Sequence, residues 1–178
     1  MRVFLAARPP DVVIEELVSL QWGLTGARWT DPDQFHLTLR FVPHLGDVTS
    51  WVERLRGINW EPFEVQLRGV GHFPPRRQPR VAWVGVQPSD ALGSLREAVE
   101  RCAVAAGIPR DSRRYNPHVT VARMSEVDDA EMATFLASHG LFRSAAWSVD
   151  RLHLFRSRLG PGGAEYERLE TIWAQGFA

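Results

Sequence analysis

The sequence of 178 residues contains no lysine at all; each of its 21 basic residues is arginine. That absence excludes a lysine nucleophile for adenylylation, a Schiff base and a P-loop lysine. It leaves planar guanidinium groups, suited to bidentate phosphate contacts, as the only permanently cationic side chains. Cysteine is equally scarce. The single Cys102 rules out an internal disulfide framework, a structural cysteine–zinc cluster and a CxxC redox pair, and points to a reducing, cytoplasmic compartment. Net charge is also lacking, with 21 acidic residues against the 21 arginines, so the profile is not that of a general nucleic-acid coat protein. No apolar run approaches the ~18 residues needed to span a bilayer, and the opening MRVFLAARPP is too short in apolar residues for a secretory signal. No membrane association is therefore expected, and a neutral chain without an obvious exposed apolar helix is expected to be a monomer.

What is present is an ordinary globular composition, 44% hydrophobic and 24% charged, long enough for one compact domain spanning residues 1–178. Alternation and turn residues place a strand at Arg2 to Ala6 and a helix after Pro9-Pro10. A strand follows at Phe35 to Val42, with a helix capped by Asp47. Strands are read at Pro62 to Val70 and Arg80 to Val86, then a helix from Ser89 or Asp90 that stops at Gly107. The remainder reads as a strand at His118 to Arg123, a helix over about Asp128 to Ser138, and two closing strands near Ala145–Phe155 and Glu165–Trp173.

The order strand, helix, strand, strand recurs: the first elements are offset by 118 − 36 = 82 residues and the helix starts by 128 − 47 = 81. One recurrence at a fixed spacing implies a duplicated α+β fold with two lobes.

At corresponding places in the two units stand His36-Leu37-Thr38-Leu39 and His118-Val119-Thr120-Val121. Residues two apart share a strand face, so His36 with Thr38, and His118 with Thr120, each point one way while the aliphatic residues point into a core. Six His and seven Thr in 178 positions predict roughly 6 × 7/178, about 0.24, His-x-Thr occurrences by chance. Two of them at the repeat offset are a signal. Two imidazoles titrating near neutral pH supply a base and an acid, and displacement at phosphorus needs one on each side. The hydroxyls can hold the non-bridging oxygens where negative charge gathers. Two histidines can also bind a metal, but neither strand offers an Asp, Glu or Cys on the shared face.

With these motifs the chain resembles the 2H phosphoesterases, and within them the bacterial and archaeal RNA 2′,3′-cyclic phosphodiesterases once called 2′-5′ RNA ligases. The resemblance runs from MRVFLAARPPDVV through RWTDPDQFHLTLRFV, GVGHFPPRRQPRVAWVGV and YNPHVTVAR to LHLFRSRLGPGGAEYERL. It implies a bilobal fold of two antiparallel β-sheets flanked by helices around a central catalytic groove. It further implies hydrolysis of a 2′,3′-cyclic phosphate at an RNA end, or of small cyclic nucleotides, to a 2′-phosphomonoester without metal or nucleotide cofactor. Carried over by motif, His36 is the general acid, His118 the general base, and Thr38 and Thr120 bind the phosphoryl oxygens. The near-symmetry leaves the two histidine roles exchangeable on sequence alone. Two other classes remain open: a nucleotide- or RNA-binding module without turnover, and RNA end joining in the reverse direction.

Further candidates follow from the same resemblance and from strand parity. Phe73 matches an aromatic that can stack on the terminal base, and reads equally as a core residue anchoring its loop. Arg123 closes the second motif and is placed to contact phosphate, although strict alternation puts it with Val119 and Val121, so a bulge or strand end must turn it inward. Arg40 shares the parity of His36 and is the alternative phosphate ligand. Two arginine clusters, Arg76, Arg77 and Arg80 and then Arg110, Arg113 and Arg114, read first as solvated loops, with a path for the RNA strand beyond its last nucleotide as the alternative reading of each. Tyr115 departs from the His or Phe expected before the second motif and either stacks or packs. His44, His72, His139 and His153 lack comparable partners and read as structural or surface residues, and the seven Trp as core.

Overall fold

A computed structural model describes residues 1–74, 78–161 and 163–176. Arg76 and Arg77 lie outside the described residues. Ten strands, four helices and one 3-10 turn at Pro32–Gln34 are found among those described: β1 Val3–Ala7, α1 Asp11–Val18, β2 Arg28–Trp29, β3 Leu37–Val42, α2 Thr49–Arg56, β4 Phe63–Val65, β5 Leu67–Phe73, β6 Val81–Val86, α3 Asp90–Ala105, β7 His118–Arg123, α4 Asp129–His139, β8 Trp147–Val149, β9 Arg151–Gly160 and β10 Gly163–Trp173.

Local chemistry explains where three of the four helices begin. Ser89 accepts the Leu92 N–H at 3.2 Å and starts α3, whose Leu92, Leu95, Val99 and Ala103 form one buried stripe; Gly107 follows it with φ +80°. Asp128 accepts the N–H groups of Ala130 and Glu131 and starts α4. Asp47 sits one residue ahead of the capping position, where its carboxylate takes both the N–H and the hydroxyl of Thr49.

One antiparallel sheet of eight strands runs β10-β9-β1-β3-β7-β6-β5 with β2 added on β7, beside a two-stranded sheet of β4 and β8; the two lobes are built on its halves, β10-β9-β1-β3 and β7-β6-β5. They touch through β3 and β7, which share the single register pair Leu37↔Val119. Beyond that pair the strands splay and leave a cleft. Helices α2 and α3 pack together against the first lobe, through β10 and β3 respectively, while α4 packs against β5 of the second. Helix α1 lies on the second lobe's side, where its Glu16 accepts from Ala145 N–H and the following Thr25 bonds to Glu131 of α4.

The duplication is more interleaved than its linear order implies. The β6 strand is not the last strand of the first unit but the counterpart of β1. Each precedes a helix and lies beside its unit's motif strand. Each is flanked on its other side by a strand sent from the other unit: β9 beside β1, β5 beside β6. The first unit thus sends β5 into the second lobe, the second sends β9 into the first, and β4 and β8 pair where the two crossovers meet.

One charged cluster is built into this frame. Arg40 and Arg96 share Glu100, with Nε of Arg40 3.0 Å and Nη1 of Arg96 2.6 Å from the same carboxylate oxygen, all three side chains almost fully buried. Arg40 also donates to the Pro109 and Phe41 carbonyls. Removing Glu100 would leave two buried guanidinium groups to share the more distant Asp111 carboxylate, a loss of about 3–5 kcal/mol. Glu100→Ala is therefore expected to shift the urea midpoint sharply down at unchanged slope; a loss below about 1 kcal/mol would contradict this reading.

Candidate active site

His36 precedes β3 and His118 opens β7, and each ring is fixed in the same way. Nδ1 of His36 lies 2.6 Å from the Gln34 carbonyl oxygen, and Nδ1 of His118 lies 2.7 Å from that of Asn116. A carbonyl oxygen only accepts, so Nδ1 carries the proton in both rings. Nε2 is left with its lone pair when the ring is neutral. Both anchoring carbonyls lie two residues before their histidine, and Gln34 and Asn116 are themselves 82 residues apart (116 − 34). The repeat therefore extends to the device that sets the tautomer.

Both imidazoles, together with Thr38 and Thr120, line one cleft of about 570 Å³ between the lobes. Aromatic rings hold them there. Phe4 of β1 lies 4.7 Å from His36 between ring centres, and Tyr166 of β10 meets it edge-on at 5.4 Å. His118 is met edge-on by Phe73 at 5.0 Å, which in turn leans on Trp83. Phe73 thus reaches the cleft wall beside the second histidine. Phe4, Tyr166, Gln34 and Asn116 carry no motif signal; only the repeat offset, applied to residues flanking the motifs, finds the last two.

These walls depress both histidines. The pKa of His36 is lowered to about 4, chiefly by desolvation, with the positive charges of Arg123 and His118 adding to it and the Gln34 carbonyl opposing. The ring keeps some contact with solvent, but protein atoms crowd it closely enough for this effect to dominate. His118 is lowered for the same leading reason, again with Arg123 contributing and the Asn116 carbonyl opposing. Burial thus favours the neutral form of both imidazoles at neutral pH, and His36 lies within reach of a charge on His118.

A pair of β-bulges decides which arginine serves the cleft. On β7, Trp83 faces Thr120 and Ala82 faces Ala122, so Val121 is an extra residue and both Val121 and Ala122 are fully buried. The parity flips after it, and Arg123 emerges on the same side as Thr120, exposed and lining the cleft. On β3, Leu5 faces Arg40 and Ala6 faces Thr38, so Leu39 is the extra residue. Here the flip acts against the expectation: Arg40 turns away from the His36 face and its guanidinium is engaged by Glu100, Asp111 and two carbonyls. It underlies the cleft floor and has no free donor fork for a phosphate. Phe41 takes the position that corresponds to Arg123.

Of the suggested strand paths, Arg113 and Arg114 line the cleft, while Arg110 pairs with Glu97 on the exposed side of α3 and Arg80 donates to the Ser125 carbonyl. Tyr115 packs: its hydroxyl donates to the Thr38 carbonyl at 2.9 Å, its ring lies under Arg96, and burial raises its pKa. His139 and His153 are buried against aromatic neighbours, His153 also within 3.0 Å of the Thr171 hydroxyl. Among the described residues no three His, Cys, Asp or Glu side chains gather as a metal site, and no helix is long and apolar enough to cross a membrane.

Comparison with known proteins agrees with this architecture. A family model described as the 2′-5′ RNA ligase superfamily matches residues 9–161. A relative from Aeropyrum pernix named RNA 2′,3′-cyclic phosphodiesterase is 33% identical over 151 residues, covering 81% of this chain and 84% of its own. A protein of the same name from Archaeoglobus fulgidus is 29% identical over 177 residues, covering 97% and 99%. Among solved structures, one from Thermus thermophilus superposes with a TM-score of 0.81 at 26% identity over the whole of both chains. E. coli LigT complexed with 3′-AMP gives 0.80 at 20% identity over 98% of each and shows the same fold. The family match covers most of the chain, and the chain belongs to the 2′-5′ RNA ligase superfamily.

Proposed function

We propose that this protein hydrolyses 2′,3′-cyclic phosphodiester ends of RNA to 2′-phosphomonoesters by two-histidine acid–base catalysis that needs no metal. The observation that carries the reading is the mirrored pair of imidazoles, each tethered through Nδ1 and each offering Nε2 to the same cleft. The shared name of the curated relatives supports the substrate class.

With the cyclic phosphorus between the rings, His118 Nε2 takes a proton from water as the water oxygen bonds to phosphorus. The P–O3′ bond breaks on the far side, and His36 Nε2 supplies the proton to the departing 3′ oxygen. This division of roles follows the family resemblance. Thr38 and Thr120 donate to the non-bridging oxygens, and Arg123 offsets the charge that builds there. Phe73 supports the terminal base by stacking. His36 acts as an acid only once the bound phosphate is in place, because an anion next to a desolvated imidazole raises its pKa.

In excess EDTA the wild-type protein is expected to convert a 2′,3′-cyclic terminus to the 2′-phosphate. His36→Ala and His118→Ala should each lower the rate about 10²–10⁴-fold, or roughly 3–5 kcal/mol of barrier, with the fold intact by circular dichroism. Near-wild-type rates in both variants, or a 3′-phosphate product, would contradict the assignment.

The depressed pKa values fix a sign for the pH dependence. At low pH both rings are protonated and no base is available; at high pH both are neutral and no acid is available. The free-enzyme profile of kcat/KM should be a bell with both limbs below pH 6.5, the lower near about 4. The kcat bell should lie at higher pH, because the bound anion raises both values. Profiles that superimpose, or a kcat/KM limb that rises above pH 7, would argue against this.

A further inference from the structure

The cleft is larger and more positively charged than a single cyclic phosphate needs. Along its length it is lined by Arg2, Arg113, Arg114 and Arg123, with Arg40 and Arg96 in its floor, and the only carboxylate among its lining residues is Asp111. That carboxylate is already committed. Asp111 sits 2.9 Å from Arg113, 3.4 Å from Arg40 and 4.0 Å from Arg96, and its pKa falls to about 2, chiefly through the Arg113 side-chain hydrogen bond. Glu100 neutralises much of the rest. Three guanidinium groups therefore remain without a carboxylate within 4 Å among the described residues: Arg123, Arg2 and Arg114.

They do not sit together. Arg123 lies at the end of β7, within Coulomb reach of both histidines. Arg2 and Arg114 belong to the opposite end. Antiparallel β3 and β7 run apart from Leu37↔Val119, so Phe41 and Arg123 lie on opposite sides of the catalytic pair. The Arg2 guanidinium is laid over the Phe41 ring at 5.0 Å, and Arg114 comes from the loop that leads into His118. Where the second unit places Arg123, the first has Phe41 with an arginine stacked upon it. The repeat's symmetry is broken in the side chain yet kept in the charge.

We infer that the Arg2–Arg114 end of the cleft is a second phosphate subsite, which takes the phosphate on the 5′ oxygen of the terminal nucleoside while the cyclic phosphate lies between the histidines. Its natural occupant is the internal phosphodiester of an RNA strand. The cleft thereby selects RNA ends over free cyclic mononucleotides. The assignment rests on the proposed hydrolase activity. Stacking of Arg2 on Phe41 holds one guanidinium in place before substrate arrives and lowers the entropy cost of the contact. A diester phosphate carries one charge and two free oxygens, well matched to a pair of planar donors.

Three substrates separate the possibilities: adenosine 2′,3′-cyclic phosphate, the same nucleoside with a 5′-phosphate, and the dinucleotide ApA ending in a 2′,3′-cyclic phosphate. The dinucleotide should exceed the plain mononucleotide about 10-fold in kcat/KM, mainly through KM, with a salt dependence steeper by about 0.7 in log–log slope. The double variant Arg2→Ala/Arg114→Ala should erase that advantage and leave hydrolysis of the plain mononucleotide unchanged, while Arg2→Lys/Arg114→Lys should keep most of it. Equal kcat/KM for dinucleotide and mononucleotide would overturn the inference, as would an equal loss on both substrates in the Ala double variant. A gain by the 5′-phosphorylated nucleoside that the dinucleotide does not share would overturn the strand as occupant. Wild-type protein that hydrolyses none of the three in EDTA would instead defeat the hydrolase reading itself.

Discussion

Two hydrogen bonds, from the imidazole Nδ1 of His36 to the Gln34 carbonyl and from that of His118 to the Asn116 carbonyl, set the chemistry available to this molecule. Each forces one tautomer and one ring orientation, and each is made by backbone that precedes a motif strand. Had either Nδ1 been left to solvent, the ring would be free to protonate on the wrong nitrogen and to rotate out of line. The surrounding structure serves these two contacts. The single pair Leu37↔Val119 brings the two strands together, and their splay on either side of it opens the cleft above. Phe4, Tyr166 and Phe73 pack around the rings and remove water, which depresses both pKa values.

The interleaved duplication explains why such a site tolerates little drift between lobes. Each half contributes a strand to the other's sheet, β5 to the second and β9 to the first, and β4 pairs with β8 where they cross. A relative displacement of the lobes would strain both crossovers as well as the β3–β7 contact. The buried Arg40–Glu100–Arg96 cluster lies directly under the cleft and ties β3 to α3. Its net positive charge also reinforces the field that an incoming phosphate meets.

How much of this was legible in the sequence varies by residue for physical reasons. The His-x-Thr pairs were, because a period of two and a fixed repeat offset are properties of the chain itself. The helices α3 and α4 were, because a Ser or Asp cap and an apolar stripe are local. The destinations of Arg40 and Arg123 were not. Strand parity places Arg40 on the His36 face and Arg123 behind it; the bulge at Val121 brings Arg123 into the cleft, while that at Leu39 turns Arg40 into the floor, where Glu100, Asp111 and two carbonyls engage it. A bulge is defined against the neighbouring strand, β1 or β6, so no local pattern announces it. Two consecutive fully buried residues, Val121 and Ala122, are its only trace, and aliphatic runs of that kind also occur in regular strands. Phe4 and Tyr166 were equally hidden, since they reach His36 from strands far away in the chain. The swapped placement of β5 and β9 likewise depends on which edges pair, which spacing does not encode.

Which nitrogen of each ring carries the proton can be observed in solution. Long-range proton–nitrogen NMR spectra of protein labelled at histidine nitrogen, recorded near pH 7.5, read which ring nitrogen carries hydrogen. Both His36 and His118 should be protonated at Nδ1 and bare at Nε2, and only the Nε2 resonances should move markedly when a nucleoside 2′-phosphate is added. Protonation at Nε2 in either ring, or a response to the nucleotide confined to one of them, would contradict the account.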